Sequence, residues 1–355
     1  MIGKEPPKLA VVIVNYRSGK ETAGLLRSLR EVRGGGERNI YVVDSGSGDG
    51  SCDVIRAGLS GNEFLMEEGE NLGYGACNNI GIRRGMEWGA DYFLILNPDV
   101  QLEKDFLPPL LIALEARPRC GVAVPVTLSE DGSRIQSVGG DFNLWTGTAR
   151  RRFLGKDPAT LRSDFDRAAF AVGHCMLVKR EFLEDAGLFH EGYFLYYEDV
   201  ELGLRGSKEY WETMVVYQSR IRHRDTTGHR LFDPIVNLAA TRNQVWVERS
   251  YAGPLRLLCF ILFSLFLRWP WKFARCFFTF HFKASFMVIK GCWTGLFGRG
   301  LHGVSHLALP VVPRRARLDE PGSNSGEVVA RWIQAQDAYL ITKHKLDQNY
   351  RKRMK

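Results

Sequence analysis

Three short stretches of the chain set carboxylates where they could do chemistry. Leu96-Asn97-Pro98-Asp99-Val100 ends an apolar run in a proline-fixed turn that presents one carboxylate. Hard divalent cations such as Mg2+ take oxygen ligands, often one or two carboxylates completed by phosphate oxygens. A plain turn is the competing reading, because Asn-Pro-Asp is good turn chemistry. Tyr196-Tyr197-Glu198-Asp199 sets two adjacent acids behind the aromatic run Tyr193–Tyr197. Aromatic walls suit a sugar ring, and their low dielectric raises a carboxyl pKa. A carboxylate there could deprotonate an acceptor hydroxyl. Acids at a helix start also complement the macrodipole, although one would be enough. Asp44-Ser-Gly-Ser-Gly-Asp-Gly-Ser51 is rich in glycine, which permits close backbone approach to a ligand. Asp44 could accept hydrogen bonds from a nucleobase N–H or from ribose hydroxyls. The bland reading is a solvated loop with Asp49 or Ser51 as a helix N-cap. His223, within Arg220-Ile-Arg-His-Arg224, adds an imidazole that could complete a Mn2+-like site with Asp99. A lone histidine in a basic strand is more often structural, and the arginines could themselves meet a diphosphate.

These residues need elements to position them. Leu9–Val14 is a continuous apolar run and predicts a buried strand. Glu21–Val32 carries Leu25, Leu26, Leu29 and Val32 at helical spacing. Ile40–Val43 predicts a second strand, Phe64–Met66 a short third and Tyr92–Leu96 a fourth, with a helix over Ala76–Trp88. A helix over Phe106–Ala116 and a strand over Gly121–Val126 close the series. Such alternation predicts an α/β fold, a mostly parallel sheet covered by helices on both faces. Ligands sit at the carboxyl ends of strands in these sheets. Asn15, Tyr16 and Arg17, then Asp44–Ser51, then Asn97–Asp99 each follow a strand and are expected at that edge. Residues 132–152 turn to Gly, Ser, Thr, Trp and Arg and predict a hairpin or a mobile segment. Ala171–Val178 predicts a strand, Glu198–Lys208 a helix, and Met214–Tyr217 and Ile221–His223 two extended pieces.

In this order the motifs resemble the inverting family 2 glycosyltransferases of the GT-A fold, in particular their bacterial rhamnosyltransferase-like branch. The resemblance rests on VVIVNYRS (11–18), VVDSGSGDGS (42–51), ENLGYGACNNIGI (70–82), YFLILNPDV (92–100), the stretch 172–205 and the His223 strand. ATRNQVWVERSY (240–251) and IKGCWTGLFGR (289–299) resemble the branch's C-terminal part. The resemblance implies that Asn15, Tyr16 and Arg17 line the base and ribose pocket, and that Asp44 holds the base or ribose. It implies nucleotide contacts from Gly73 and Asn78. Asn97 and Asp99 stand at the family's DxD-like motif, so Asp99 would bind a metal–diphosphate, with His223 as a further metal ligand. Asp199 would be the catalytic base and Glu198 would shape the acceptor site. The implied cofactor is a divalent metal, Mg2+ or Mn2+. The implied partners are a dTDP-, UDP- or GDP-sugar donor, with dTDP-rhamnose foremost, and a glycan or polyprenyl-diphosphate-linked acceptor. Ser45 departs from the family's usual asparagine, and His174 stands where a small residue is common; packing is the favoured role for His174.

Composition narrows the classes further. The 355 residues are 45% hydrophobic and 25% charged, which excludes a disordered or collagen-like chain. The formal charge of +8 is unevenly spread. Residues 1–248 hold 30 basic and 35 acidic side chains, and residues 249–355 hold 18 and 5. This predicts a catalytic domain over 1–248 and a helical, basic region over 249–355. Leu257–Leu267 is an 11-residue apolar run, short of the ~20 residues a spanning helix needs. Bulky aromatics mixed with Arg and Lys after it predict helices lying in a membrane interface, drawn to anionic lipid by about 1 kcal/mol per basic residue. Packing on the core or a homodimer surface is the alternative. Phenylalanine and leucine outnumber polar groups here, which speaks against nucleic acid. The tail Lys343–Lys355 is basic again. Seven cysteines without Cys-x-x-Cys spacing predict neither disulfides nor a zinc site, and no secretory signal is read in MIGKEPPK. A peripheral place on the cytoplasmic membrane face follows. A non-catalytic GT-A-like scaffold and a sugar nucleotidyltransferase are the rival functions. The second should carry a glycine-rich triphosphate loop where this chain has Val14-Asn15-Tyr16-Arg17-Ser18.

Overall fold

The computed structural model describes residues 6–161, 163–224 and 231–298. Its first part alternates β1 (Lys8–Asn15), α1 (Gly19–Glu31), β2 (Glu37–Asp44), α2 (Ser51–Gly58), β3 (Glu63–Glu67), α3 (Tyr74–Trp88) and β4 (Tyr92–Leu96). Then come β5 (Val100–Leu102), α4 (Leu107–Ala116), β6 (Cys120–Leu128), β7 (Ile135–Ser137), the hairpin β8 (Gly140–Asn143) and β9 (Thr148–Arg151), and β10 (Phe165–Ala168). The second part holds β11 (Cys175–Lys179), α5 (Arg180–Ala186), α6 (Glu198–Lys208), β12 (Glu212–His223) and α7 (Pro234–Tyr251). Two further helices follow, α8 (Pro254–Phe278) and α9 (Phe282–Phe297).

The central sheet runs β10-β12-β6-β11-β4-β1-β2-β3. β1 pairs in parallel with both β2 and β4, β2 with β3, and β6 with β12. β11 is antiparallel to both of its neighbours, β4 and β6. β1, β2, β3, β4, β6 and β12 therefore run one way, and the sheet is mixed but mostly parallel. Ala10–Ile13 and Phe93–Leu96 are fully buried, as expected for strands covered on both faces. Leu26, Leu29, Leu107, Leu110 and Leu114 from α1 and α4 fill one of those faces.

The structure corrects several sequence expectations. The strand predicted over Ala171–Val178 begins only at Cys175, because the Gly173 N–H donates to Asp199 instead of to a neighbouring strand. Met214–Tyr217 and Ile221–His223 are one strand, β12, kinked by an irregularity between Val216 and Arg220. The three-residue β5 and the eight-residue α2 are too short to show a period. The 11-residue apolar run lies inside a 25-residue helix. A π turn over Ser264–Arg268 precedes Pro270, whose missing N–H would otherwise interrupt the ladder.

α8 is long and apolar enough to cross a membrane by length and composition, and only 17% of its apolar window is buried. α9 lies along α7. A Cβ on Gly291 would meet the Leu238 carbonyl oxygen at 2.8 Å, and one on Gly295 would meet Val245 Cβ at 2.8 Å, so this close approach needs glycine. Arg249 Nη1 donates to the carbonyls of Gly295 and Leu296 at 2.9 and 3.2 Å. All seven cysteines are free thiols. The basic tail 343–355 lies outside the described residues.

Candidate active site

Pairing of β5 with β12 sets His223 opposite Val100 and so beside Asp99. His223 Nε2 lies 3.3 Å from Asp99 Oδ1. On its other side, Nδ1 meets Gln136 Oε1 at 3.0 Å, and Gln136 Nε2 donates to the His223 carbonyl at 2.7 Å. With Nδ1 carrying the proton, the Nε2 lone pair faces the carboxylate. The ring stacks on His174, centroids 4.7 Å apart. His174 is buried and meets Thr127 Oγ1 at 2.6 Å. Burial, then the neighbouring His223 and Arg151, push its pKa well down, so it is a neutral stacking partner. This agrees with its expected packing role. One carboxylate and one imidazole fit a divalent cation that draws its other ligands from phosphate and water. Among the described residues no set of three or more His, Cys, Asp and Glu side chains forms a fuller metal cage.

Asp199 occupies the first turn of α6. Its Oδ2 accepts from the Gly173 N–H at 3.0 Å and its Oδ1 from the Val200 N–H at 2.8 Å. Burial raises its pKa, and the backbone donors and Arg151 only partly offset this. Glu198 is buried, and its Oε2 has no hydrogen-bond partner among the described residues. Burial and then the Asp199 charge push its pKa up. Two backbone N–H groups thus favour the charged form of Asp199, whereas burial favours the protonated form of Glu198. The residues 173–174 tie the two groups together. Gly173 holds Asp199, the His174 ring backs His223, and the His174 carbonyl accepts from the Asn97 N–H at 2.9 Å.

The loop before α6 is strained. Phe194, Tyr196 and Tyr197 have φ of 63, 65 and 71°, a region bulky residues avoid. Asn243 on α7 holds it by turning Nδ2 to the carbonyls of Tyr193, Leu195 and Tyr196 at 2.8, 2.9 and 2.8 Å. Arg242 donates to those of Gly192 and Tyr193. Tyr251, at the end of α7, donates to Glu201 Oε1 at 2.7 Å. Sequence reasoning missed these duties, although the segment 240–251 was already marked by its resemblance.

The residues expected to bind nucleotide gather at the ends of β1 and β2. Asp44 is buried and accepts from Asn15 Nδ2 and Ser47 Oγ, both at 2.5 Å, and from the Ser47 N–H at 2.9 Å. Burial raises its pKa, but the Ser47 and Asn15 bonds outweigh this and hold it low, so Asp44 is an anion. The Asn15 carboxamide is also buried and accepts from Thr22 Oγ1 at 2.8 Å. The Asn15 side chain thus turns inward and positions Asp44. Tyr16 is exposed, with Arg17 stacked over its ring at 5.2 Å. Gly73 has φ +86° and a Cβ there would sit 2.4 Å from the Phe194 carbonyl, so it seats α3 against the loop before α6. Asn78 is buried, donates to the Tyr74 carbonyl at 3.0 Å and leaves Oδ1 unpartnered among the described residues. The Gly73 N–H donates to Asn71 Oδ1 at 3.0 Å, and Ser45 Oγ donates to the same oxygen at 3.0 Å, so the start of α3 is tied to the Asp44 cluster as well as to the loop before α6.

The sequence profile of glycosyl transferase family 2 matches residues 10–187. An N-acetylglucosaminyl-diphospho-decaprenol L-rhamnosyltransferase of Mycobacterium tuberculosis is 30% identical over 268 residues, covering 67% of this chain and 83% of that one. A low-salt glycan biosynthesis hexosyltransferase, Agl10 of Haloferax volcanii, is 26% identical over 57% of this chain and 62% of its own length. Among solved structures, the mannosyltransferase PcManGT of Pyrobaculum calidifontis, in complex with GDP-Man and Mn2+, shares the fold. Its TM-score is 0.52 at 15% identity, over 83% of this chain and 88% of that one.

Proposed function

Because the chain belongs to glycosyl transferase family 2, we propose that it transfers a sugar with inversion from a nucleotide donor to a lipid-linked glycan acceptor. L-Rhamnose from dTDP-rhamnose is the donor this reading favours, by similarity to the mycobacterial rhamnosyltransferase. The same likeness favours a polyprenyl-diphosphate-linked acceptor. Asp199 takes the proton of the acceptor hydroxyl, whose oxygen attacks the anomeric carbon as the bond to the leaving diphosphate breaks on the far side. Glu198, protonated and beside it, shapes the acceptor pocket. Asp44, Asn97, Arg17 and Tyr16 flank the nucleotide, and Gly73 and Asn78 support the wall between donor and acceptor. Asp99 and His223 would hold a divalent metal, Mg2+ or Mn2+, which supplies charge neutralisation for the departing diphosphate.

One observation carries this reading. The chain of contacts Asp199–Gly173–His174–His223–Asp99 joins a hydroxyl-activating acid to a cation-binding pair in one wall. A scaffold without catalysis has no need of that link. The division at residue 248 is then one of duty, with catalysis before it and membrane contact after it. α8 and α9 present Leu258, Leu262, Phe266, Phe278, Phe286 and Trp293 exposed, with Arg256, Lys283 and Lys290 at the surface. They fit the cytoplasmic membrane face, where a lipid-borne acceptor would lie. The full chain, purified with lipid and offered a panel of nucleotide sugars, should release nucleoside diphosphate with one of them and lose that release on chelation. Release from no donor overturns the reading, and release that survives chelation removes the metal from it.

A further inference from the structure

The hairpin β8–β9 carries Arg150, Arg151 and, just after it, Arg152. Their surroundings differ sharply. Arg152 is paired with Asp141 at 3.6 Å and with Asp166, and donates to the Arg167 carbonyl at 2.5 Å. Arg150 is exposed to solvent. Arg151 is half-buried, and among the described residues no hydrogen bond or ion pair holds its guanidinium.

The hairpin register fixes where Arg151 faces. Phe142 is paired with Ala149 and Gly140 with Arg151, so these four share one face. On that face Phe142 meets the Tyr197 ring edge-on at 6.4 Å, and Phe142 and Ala149 pack on the cluster of Phe170, Tyr193 and Val200. Gly140 also bridges to Phe170, which leads directly into the loop 171–174. Arg151 therefore stands beside the wall that holds both acids. Its charge depresses the pKa of His174 and of Asp199, as a cation near both must.

A half-buried guanidinium gives up hydration, and no hydrogen bond among the described residues replaces it. Its planar fork matches phosphate oxygens two at a time. We propose that Arg151 grips a diphosphate at the edge of the Asp99–Asp199 site. The inference rests on the glycosyltransferase reading for its substrates, since both the donor and the proposed lipid-linked acceptor carry that group.

The test is binding without turnover, so it stands or falls apart from transfer itself. Calorimetry on the full chain with Mn2+ would use two probes, a panel of nucleoside diphosphates and a short prenyl diphosphate. Arg151→Ala should weaken one of them roughly 10- to 100-fold, the worth of hydrogen bonds to a charged partner. Loss on the nucleoside diphosphates places the contact on the leaving group; loss on the prenyl diphosphate places it on the acceptor. Arg151→Lys should recover part of the loss, and Arg150→Ala should bind as the parent does. Unchanged affinity for both probes overturns the proposal, even if the pH profile of transfer moves. Equal losses in the Arg150 and Arg151 variants overturn it too, because a general surface charge would then explain both.

Discussion

Asp199 and Glu198 are neighbours in sequence with opposite surroundings. Asp199 accepts two backbone N–H groups, whereas Glu198 keeps an oxygen buried without a partner among the described residues. Hydrogen bonds to the charged form favour ionisation, so Asp199 is the member fitted to act as base. Burial raises its pKa above the ordinary 3.8. Transfer should therefore decline as pH falls through a value above 3.8 and level off above it. Asp199→Asn keeps the shape and removes the base. Its rate should drop by about 100-fold or more, with nucleoside diphosphate affinity retained in calorimetry. Turnover near the parent rate would dismiss Asp199 from this role. Asp99 and Asp199 were legible in the sequence because each carboxylate follows an apolar or aromatic run. The inward turn of Asn15 was not, because nothing local reveals that Thr22 and Asp44 meet across α1 and β2 to capture it.

Among the elements, α7 does work its composition conceals. Asn243 binds three carbonyls of a loop that three positive-φ aromatics would otherwise relax. Asn243→Ala should lower stability by about 1–3 kcal/mol in denaturant melts. It should lower kcat more than nucleotide affinity, since the loop leads into Glu198 and Asp199. An unchanged kcat would mean the loop holds its shape unaided. The same helix buries Glu248 with both carboxyl oxygens unpartnered among the described residues. Burial pushes its pKa up to about 8, against the pull of Arg268 and Arg256. Between the ordinary 4.5 of the unfolded chain and about 8, the folded protein binds the extra proton. Stability must then decline as pH rises across that window. Melting temperatures of Glu248→Gln should fall less over the same range; parallel curves for the two proteins would refute the assignment.

At the scale of the molecule, the positive charge of the described residues 249–298 is only partly available to a surface. Arg268 is bound to Thr148 Oγ1 on the β8–β9 hairpin, and Lys272 donates to Thr241 Oγ1 on α7. The exposed apolar side chains of α8 and α9 remain the larger feature. Sedimentation of the full chain with vesicles should therefore persist at high salt, with anionic lipid adding a salt-sensitive increment. Binding lost entirely at high salt would show that charge alone attaches it, and no sedimentation would remove the membrane reading. α9 covers Val245 of α7, and α7 holds the loop before α6, so the compositional change at 249 does not mark a surface where the chain can be cut cleanly. The sequence by itself determined the α/β alternation, the strand ends that bear Asp44 and Asp99, and the acids that open α6. Hydrophobic period and turn chemistry are local, and they are read locally. Only the tertiary structure decided that His223 meets Asp99, that Gly173 holds Asp199, that Asn243 braces the loop before α6 and that the Arg151 guanidinium has no hydrogen bond among the described residues. Those outcomes depend on strand register and helix packing between residues far apart in the chain, which no short stretch of sequence encodes.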